Sequence, residues 1–490
     1  MMNHINRMAA GTAGLLAILL AGLVAALLVD SAPKQLFFLI LWTWALIAAC
    51  LLIRKTVGGE DLLTGAMYVF LAATFLNQSL LSLPAGFFTL FIYRIMMLVC
   101  LMILFALALR RRGLANLWQD VEVKGILYFF LFWMAYGAVS LLWARSVIDG
   151  IRYLFLIDTG IAFVFLSVFA FQSMRRLSAV FRIWMVMSGC LILIGLINHF
   201  AKIQLPTSTL YGGPAYKLGY PTAVFTNQND FATLLAISVF FYLACARNVK
   251  NRGIRGLAAG AAVLSVYSIW LTDSRASLLA VTAGMAFYVF LLLPQKLKKI
   301  GVTAGLLLLA AGLGYATLHD GLPGHLAMEE PQDLVNAAPS SNRVRMDLLR
   351  STVSYLADSW GFGVGAGNLP VYLEYQPRYP TGQIYEVHNW LAEIAGNFGI
   401  FIAAGYLAVY AALFFGLYRN SRGLSGAEPR MLAEGAMTAM IAFLISNISP
   451  SSVSNLYFHW TFLGFIVALV SVLQKKRFSE KKIRGQEGCL

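Results

Sequence analysis

"YEVHNWLAEIAGNFGIFIAAGY", residues 385–406, changes character within a few positions. It opens polar, and from Trp390 onward it becomes part of an apolar run long enough to cross a bilayer. His388 and Asn389 stand at the changeover. They suit an N-terminal helix cap, worth about 1 kcal/mol, because a polar side chain there satisfies a free backbone N–H. They equally suit chemistry at a membrane surface, because an imidazole with a pKa near 6.5 can take a proton at neutral pH. The residues alone leave both readings open.

Working outward, such runs fill the chain. Its 490 residues are 59% hydrophobic and only 12% charged, a composition that would leave a soluble domain with large exposed apolar patches. Stretches near the span of a hydrocarbon core about 30 Å thick lie at approximately 10–29, 35–53, 62–80, 86–109, 125–143, 153–171, 179–199, 229–246, 256–272, 276–294, 301–317, 389–417, 431–447 and 457–474. The pattern predicts an all-α integral membrane protein with about fourteen (twelve to fourteen) transmembrane helices. The run behind the basic start "MMNHINRMAA" lacks a clear small-residue cleavage site and reads as a retained helix.

The net charge of +15 is distributed against a nucleic-acid role, because the basic residues cluster between apolar runs. Alternate connections carry Arg54–Lys55, Arg110–Arg112, Arg175–Arg176, Arg247–Arg255, Lys296–Lys299, Arg419–Arg422 and the tail "KKRFSEKKIR". The positive-inside rule places these and both termini in the cytoplasm. The expected organisation is then N-terminal membrane helices (1–200), an extracytoplasmic loop (201–228), central helices with the "SRAS" hairpin (229–317), a large extracytoplasmic loop (318–388), C-terminal helices (389–474) and a basic cytoplasmic tail (475–490). The large loop contains "NRVRMDLLRSTVSYLADSWG", in which Val344, Leu348, Val353 and Leu356 recur near helical spacing. That predicts a short amphipathic helix lying against the membrane face. The following "GFGVGAGN" lacks the Lys-Ser/Thr of a phosphate loop and reads as a tight turn. The five cysteines show no metal spacing.

Three charged positions stand out on the expected outer side. Arg275 opens a helix in "TDSRASLLA"; it suits a pair with Asp273, an interfacial anchor, or an anion-binding guanidinium. Arg345, flanked by Arg343 and Arg350, suits a solvated basic face or a phosphate clamp. His388 is the third. Asn227, Asn229 and Asp230 in "VFTNQNDFATLL" suit helix capping or a sugar-binding edge. No paired acidic motif stands at an outer helix start, so no metal site is expected.

Taken together these features resemble the O-antigen ligase and polymerase family of polytopic membrane glycosyltransferases. The family motif H-[NSQ]-x9-G is matched by His388, Asn389 and Gly399. An arginine some eighteen residues before a G-x-G turn is matched by Arg345, with Arg343 less well aligned, and "SRAS" by Ser274–Ser277. The resemblance covers about residues 220–470. It implies transfer of glycans from a polyprenyl-pyrophosphate carrier to a hydroxyl acceptor at the outer face of the bacterial plasma membrane, with no metal and no cofactor. His388 would be the general base, with Arg345 and Arg275 stabilising the leaving pyrophosphate. Arg343, Asn389, Asn227 and Asn229 would contact substrate. The implied partners are a lipid-linked glycan donor, a glycan or lipid-linked acceptor, membrane lipids and other polysaccharide-assembly proteins. Polymerisation of repeat units is the leading expectation, and ligation to lipid A core or another acceptor the alternative. A flippase or transporter is the alternative of another class, for which Arg94 supplies an intramembrane charge.

The charge pattern makes a direct prediction. Reporter fusions near residues 113, 250, 297 and 420 should read cytoplasmic, and those near 215 and 350 external. A cytoplasmic signal from 350 would put the basic connections and the large loop on one side and undo the assignment.

Overall fold

The computed structural model describes residues 62–76, 82–85, 88–110, 118–119, 121–300, 303, 341–421, 426–452, 454 and 456–487. The expected spans at 10–29, 35–53 and, but for one residue, 301–317 lie outside them, as does the large loop before Ser341. The described chain is helical apart from one antiparallel hairpin, β1 (Ser82–Ala85) paired with β2 (Phe88–Phe91), Ser82 opposite Phe91. In chain order the helices are α1 (Leu62–Ala73), α2 (Ile92–Arg110), α3 (Lys124–Ser140), α4 (Val147–Ala170), α5 (Met174–Ala201), α6 (Gln228–Asn248), α7 (Arg252–Leu271) and α8 (Arg275–Leu292). Then come α9 (Ser341–Asp358), α10 (Leu369–Tyr375), α11 (Trp390–Ser421), α12 (Ala427–Ser446) and α13 (Tyr457–Glu487). Among the described residues seven helices are long and apolar enough to cross a membrane: α4 to α8, α11 and α13. Within the run expected from residue 86 the helix begins only at Ile92, and Phe88–Phe91 pair in the hairpin instead.

Burial orders the bundle. α13 and α6 have 89% and 83% of their apolar spans inside the protein, whereas α7 and α8 have 28% each and form the periphery. Between apolar helices in lipid, close approach must come from packing. Gly160 on α4 lies so close to Trp460 on α13 that a Cβ there would collide with the indole carbons. Polar side chains at the helix ends sort onto two faces. On one, Arg247 bonds Glu434 at 2.6 Å and Arg477 bonds Asn420. On the other, α9, α10 and the starts of α6, α8 and α11 converge.

α9 is amphipathic, as expected, but its buried stripe is Val344, Asp347, Leu348, Ser351, Thr352 and Tyr355; Val353 faces outward. Small polar side chains carry the middle of the stripe because α9 packs closely on α11, where a Cβ on Gly396 would press on Thr352 and Leu369. Val344, Leu348 and Tyr355 form a small core of their own with Val364, Leu369, Leu373 and Val387.

The glycine segment is more than a turn. α11 breaks at Gly399, whose φ of 84° and ψ of 176° are non-helical. In an unbroken helix Ile400 N–H would bond the Gly396 carbonyl. Here Ile400 N–H donates to Gly361 O at 2.8 Å, while Gly396 O accepts from Val364 N at 2.8 Å and Asn397 O from Gly365 N at 3.1 Å. The loop backbone is thus spliced into the helix ladder. A side chain at Gly399 would collide with the Gly361 and Phe362 carbonyls. Tyr136 on α3 and Trp143 just after it clamp the segment by donating to Phe362 O and Gly363 O.

Gly399→Ala should therefore destabilise the protein by more than the roughly 1–2 kcal/mol of a left-handed backbone alone. Gly256→Ala on α7, where a Cβ meets nothing within 4 Å, should be neutral or stabilising by up to about 1 kcal/mol. Thermal unfolding midpoints in detergent check this; equal midpoints for the two variants would mean that the splice does not hold the helix break.

Candidate active site

His388 sits between two anchors. Val387 is buried in the small core under α9, and Trp390 is buried in the main core, packed edge-on to Tyr406 and Trp460. The cap of α11 is Asn389: its Oδ1 accepts from Ala392 N at 3.0 Å and its carbonyl from Glu393 N at 2.8 Å. The capping reading thus falls to Asn389 and leaves the histidine ring free of it. His388 has a φ of 52°, a left-handed conformation unfavourable for a residue with a side chain and held only by its surroundings.

Those surroundings are the polar turn after α12. His388 N–H donates to Ser451 O at 3.3 Å, and its ring Nδ1 faces Ser449 O at 3.4 Å. A carbonyl can only accept, so Nδ1 carries the hydrogen and Nε2 keeps the lone pair. Burial, then the nearby positive charge of Arg345, lower the His388 pKa, while hydrogen bonds to the Ser449 and Pro450 carbonyls pull the other way. The imidazole is neutral in the free protein and able to accept a proton at Nε2.

Ser449 also joins the other expected elements. Its hydroxyl lies 2.9 Å from Ser274 Oγ, and it donates to Asn229 Oδ1 at 2.9 Å. Ser274 in turn donates to Ser277. The "SRAS" hairpin, the start of α6 and the H-N motif, remote in sequence, therefore meet at one serine. Arg275, the first residue of α8, is exposed beside it, and among the described residues no ion pair joins it to Asp273. Arg345 is half-buried, its pKa lowered by desolvation, and among the described residues it makes no hydrogen bond or ion pair. A guanidinium stays charged under such a shift, so the Arg345 cation stands near the neutral histidine with no ion-pair partner among the described residues; Arg275 joins the site only through its neighbour Ser274, which meets Ser449.

The remaining expected residues divide. Asn227 caps α6, accepting from Asn229 N and Asp230 N, and donates to Asp230 Oδ2. Arg343 lies 4.0 Å from the Asp347 carboxylate, which Arg350 also approaches at 3.4 Å, so its charge is balanced along α9. Arg94 is clamped between the Phe91 and Phe155 rings and donates to Tyr93 Oη. Among the described residues no three His, Cys, Asp or Glu side chains are grouped to hold a metal ion.

Sequence reading missed the serine turn and Glu393. The buried Glu393 accepts from Tyr153 Oη at 2.8 Å and from Ser452 at 2.7 Å, which ties the turn to α4 and α11. The signal was present: "SNISPSSVS" (446–454) is a polar run between two apolar helices, and its carbonyls define the histidine tautomer.

A family model described as O-antigen ligase matches residues 260–407, the stretch that holds Arg275, Arg345 and His388. A curated protein of Bacillus subtilis (strain 168), "Teichuronic acid biosynthesis protein TuaE", is 42% identical over 483 residues, covering 96% of this chain and 98% of its own length. The chain belongs to the O-antigen ligase and polymerase family, membrane enzymes of polysaccharide biosynthesis that act as glycosyltransferases.

Proposed function

We propose that this enzyme polymerises polyprenyl-pyrophosphate-linked oligosaccharide repeat units at the outer face of the bacterial plasma membrane. The observation that carries the reading is the neutral His388, its Nδ1 fixed on a carbonyl, beside Arg345, which has no ion-pair partner among the described residues. An acceptor sugar hydroxyl attacks the anomeric carbon of the donor. Nε2 of His388 takes the hydroxyl proton as the new C–O bond forms and the bond to the pyrophosphate oxygen breaks. Arg345 and Arg275 receive the charge that gathers on the departing pyrophosphate. One base and one displacement invert the anomeric centre. Asn229 and the Ser449 hydroxyl offer an edge for sugar hydroxyls. The near full-length similarity to a protein named for making teichuronic acid favours polymer synthesis. The family description favours a second reading, ligation of a finished glycan to another acceptor. Purified enzyme given lipid-linked repeat units separates them: a ladder of products supports polymerisation, and a single transfer to an added acceptor supports ligation.

His388→Ala should lower single-turnover transfer about 100- to 10,000-fold with donor affinity unchanged, because Asn389 keeps the cap. Arg345→Ala and Arg275→Ala should weaken donor binding and turnover together, since pyrophosphate is charged before and during departure. Lysine at either site should rescue only in part, keeping the charge and losing the planar fork. Near wild-type transfer by His388→Ala would remove the histidine from the chemistry.

The pH profile gives an independent check. The active form has His388 unprotonated, and burial with the Arg345 charge pulls its pKa down. The acid limb of kcat/KM should therefore lie below the ordinary histidine value of about 6.5. Arg345→Gln removes the smaller of the two lowering causes, so the limb should move up but stay short of that value. An unmoved limb would show that a different group titrates.

A further inference from the structure

The reaction leaves a second cavity unused. Its volume is about 590 Å³, within the range of roughly 300–1,000 Å³ typical of small-molecule sites. It opens at the far end of α9 from Arg345, bounded by the last turn of α9, the glycine segment, α10 and the stretch after α3. Thirteen residues of helix separate Arg345 from Asp358, about 20 Å along the axis. The walls include Trp143, Tyr355, Tyr372 and Gln376, with the Asp358–Arg378 ion pair at 2.8 Å. The polar tips of Trp143 and Tyr355 are spent on backbone carbonyls, Gly363 for the indole and Tyr372 and Gln376 for the phenol. Tyr355 is buried in the small core, so the exposed aromatic side chain at the cavity is Trp143.

Charge separates this cavity from the histidine site. Arg378 and Asp358 cancel each other and are both exposed, whereas Arg345 and Arg275 have no counter-ion among the described residues. A pyrophosphate is drawn to the second pair, not to the first. A partly exposed indole beside an amide, a carboxylate and a guanidinium matches a pyranose ring, whose C–H face stacks on the indole while its hydroxyls reach the polar groups. We propose that this cavity is a saccharide subsite, holding a sugar of the glycan remote from the one that reacts. That the sugar belongs to the enzyme's own glycan rests on the function proposed above; α9 would then lie along the glycan, with the pyrophosphate at one end and the remote sugar at the other.

The test is calorimetric titration of the full-length protein in detergent with lipid-free oligosaccharides of one to four repeat units, released from their carrier by mild acid. Wild type and His388→Ala should bind alike. Trp143→Ala and Arg378→Ala should each weaken binding about tenfold, and Trp143→Phe, which keeps a ring, should lose less. Arg378 is exposed and outside the packed core, so its variant tests the subsite even if Trp143→Ala disturbs Gly363. No binding by wild type, or binding unchanged in Arg378→Ala, overturns the subsite. Equal losses in Trp143→Phe and Trp143→Ala assign the effect to the Gly363 bond and overturn the stacking. Transfer assayed on the same preparations separates the two claims: variant-sensitive binding without transfer keeps the subsite and removes the proposed function, and transfer with variant-insensitive binding does the reverse.

Discussion

A helix broken inside a membrane protein must hand its freed backbone groups to a partner, because lipid offers none. At Gly399 the partner is the segment Gly361–Gly365, which takes over both sides of the interrupted ladder. Most of the site's geometry follows from that exchange. The segment arrives directly from the C-terminal end of α9, so docking it on α11 fixes one end of α9 against the bundle. The small core of Val344, Leu348 and Val387 then fixes the other end. Arg345, one residue from Val344, is held near His388, one residue from Val387, without a direct bond between the two side chains.

The family motif H-N-x9-G takes on a physical meaning in this arrangement. The asparagine caps the helix, the glycine opens it, and the histidine lies outside the cap in a strained conformation. Each position does a different job, and only the histidine is left with an unsatisfied lone pair. The strain is held from two sides, by Trp390 in the main core and by the carbonyls of the serine turn. Glu393 secures that turn through Ser452, so a residue one turn into the helix acts on the histidine through the backbone it holds.

Much of this was legible in the sequence because membrane solvation writes itself into composition. The apolar runs and the amphipathic character of α9 follow from period and length alone. The H-N motif, the "SRAS" hairpin and Arg345 could be named as a set through family resemblance. Their meeting point could not, because Ser449 has no marker beyond a polar run of ordinary turn residues. "GFGVGAGN" reads locally as a turn, since a backbone–backbone splice between residues some forty positions apart leaves no side-chain pattern. The error at Val353 has a similar cause: a stripe of apolar residues was sought where close helix contact demands serine and threonine. Arg343 and Arg345 are indistinguishable by spacing to within a turn; they differ only in three dimensions, where Asp347 pairs with Arg343 and no ion-pair partner meets Arg345 among the described residues.

The electrostatics around His388 differ from those of a catalytic triad. In many hydrolytic triads a carboxylate behind the histidine stabilises the imidazolium that forms during reaction. Here Nδ1 meets a neutral carbonyl, and the nearest noted charge is the cation of Arg345. Protonated His388 is therefore poorly stabilised in the free enzyme. On the proposed function, the missing anion is the donor itself. A bound pyrophosphate offsets the Arg345 charge before the reaction, and its further charge on departure favours the imidazolium as the proton arrives. The same phosphate that holds the arginine would thus make the histidine a stronger base at the moment of transfer. Without donor the lowered pKa keeps the histidine unprotonated, so on that proposal the site would be ready to accept a proton when the lipid-linked sugar enters.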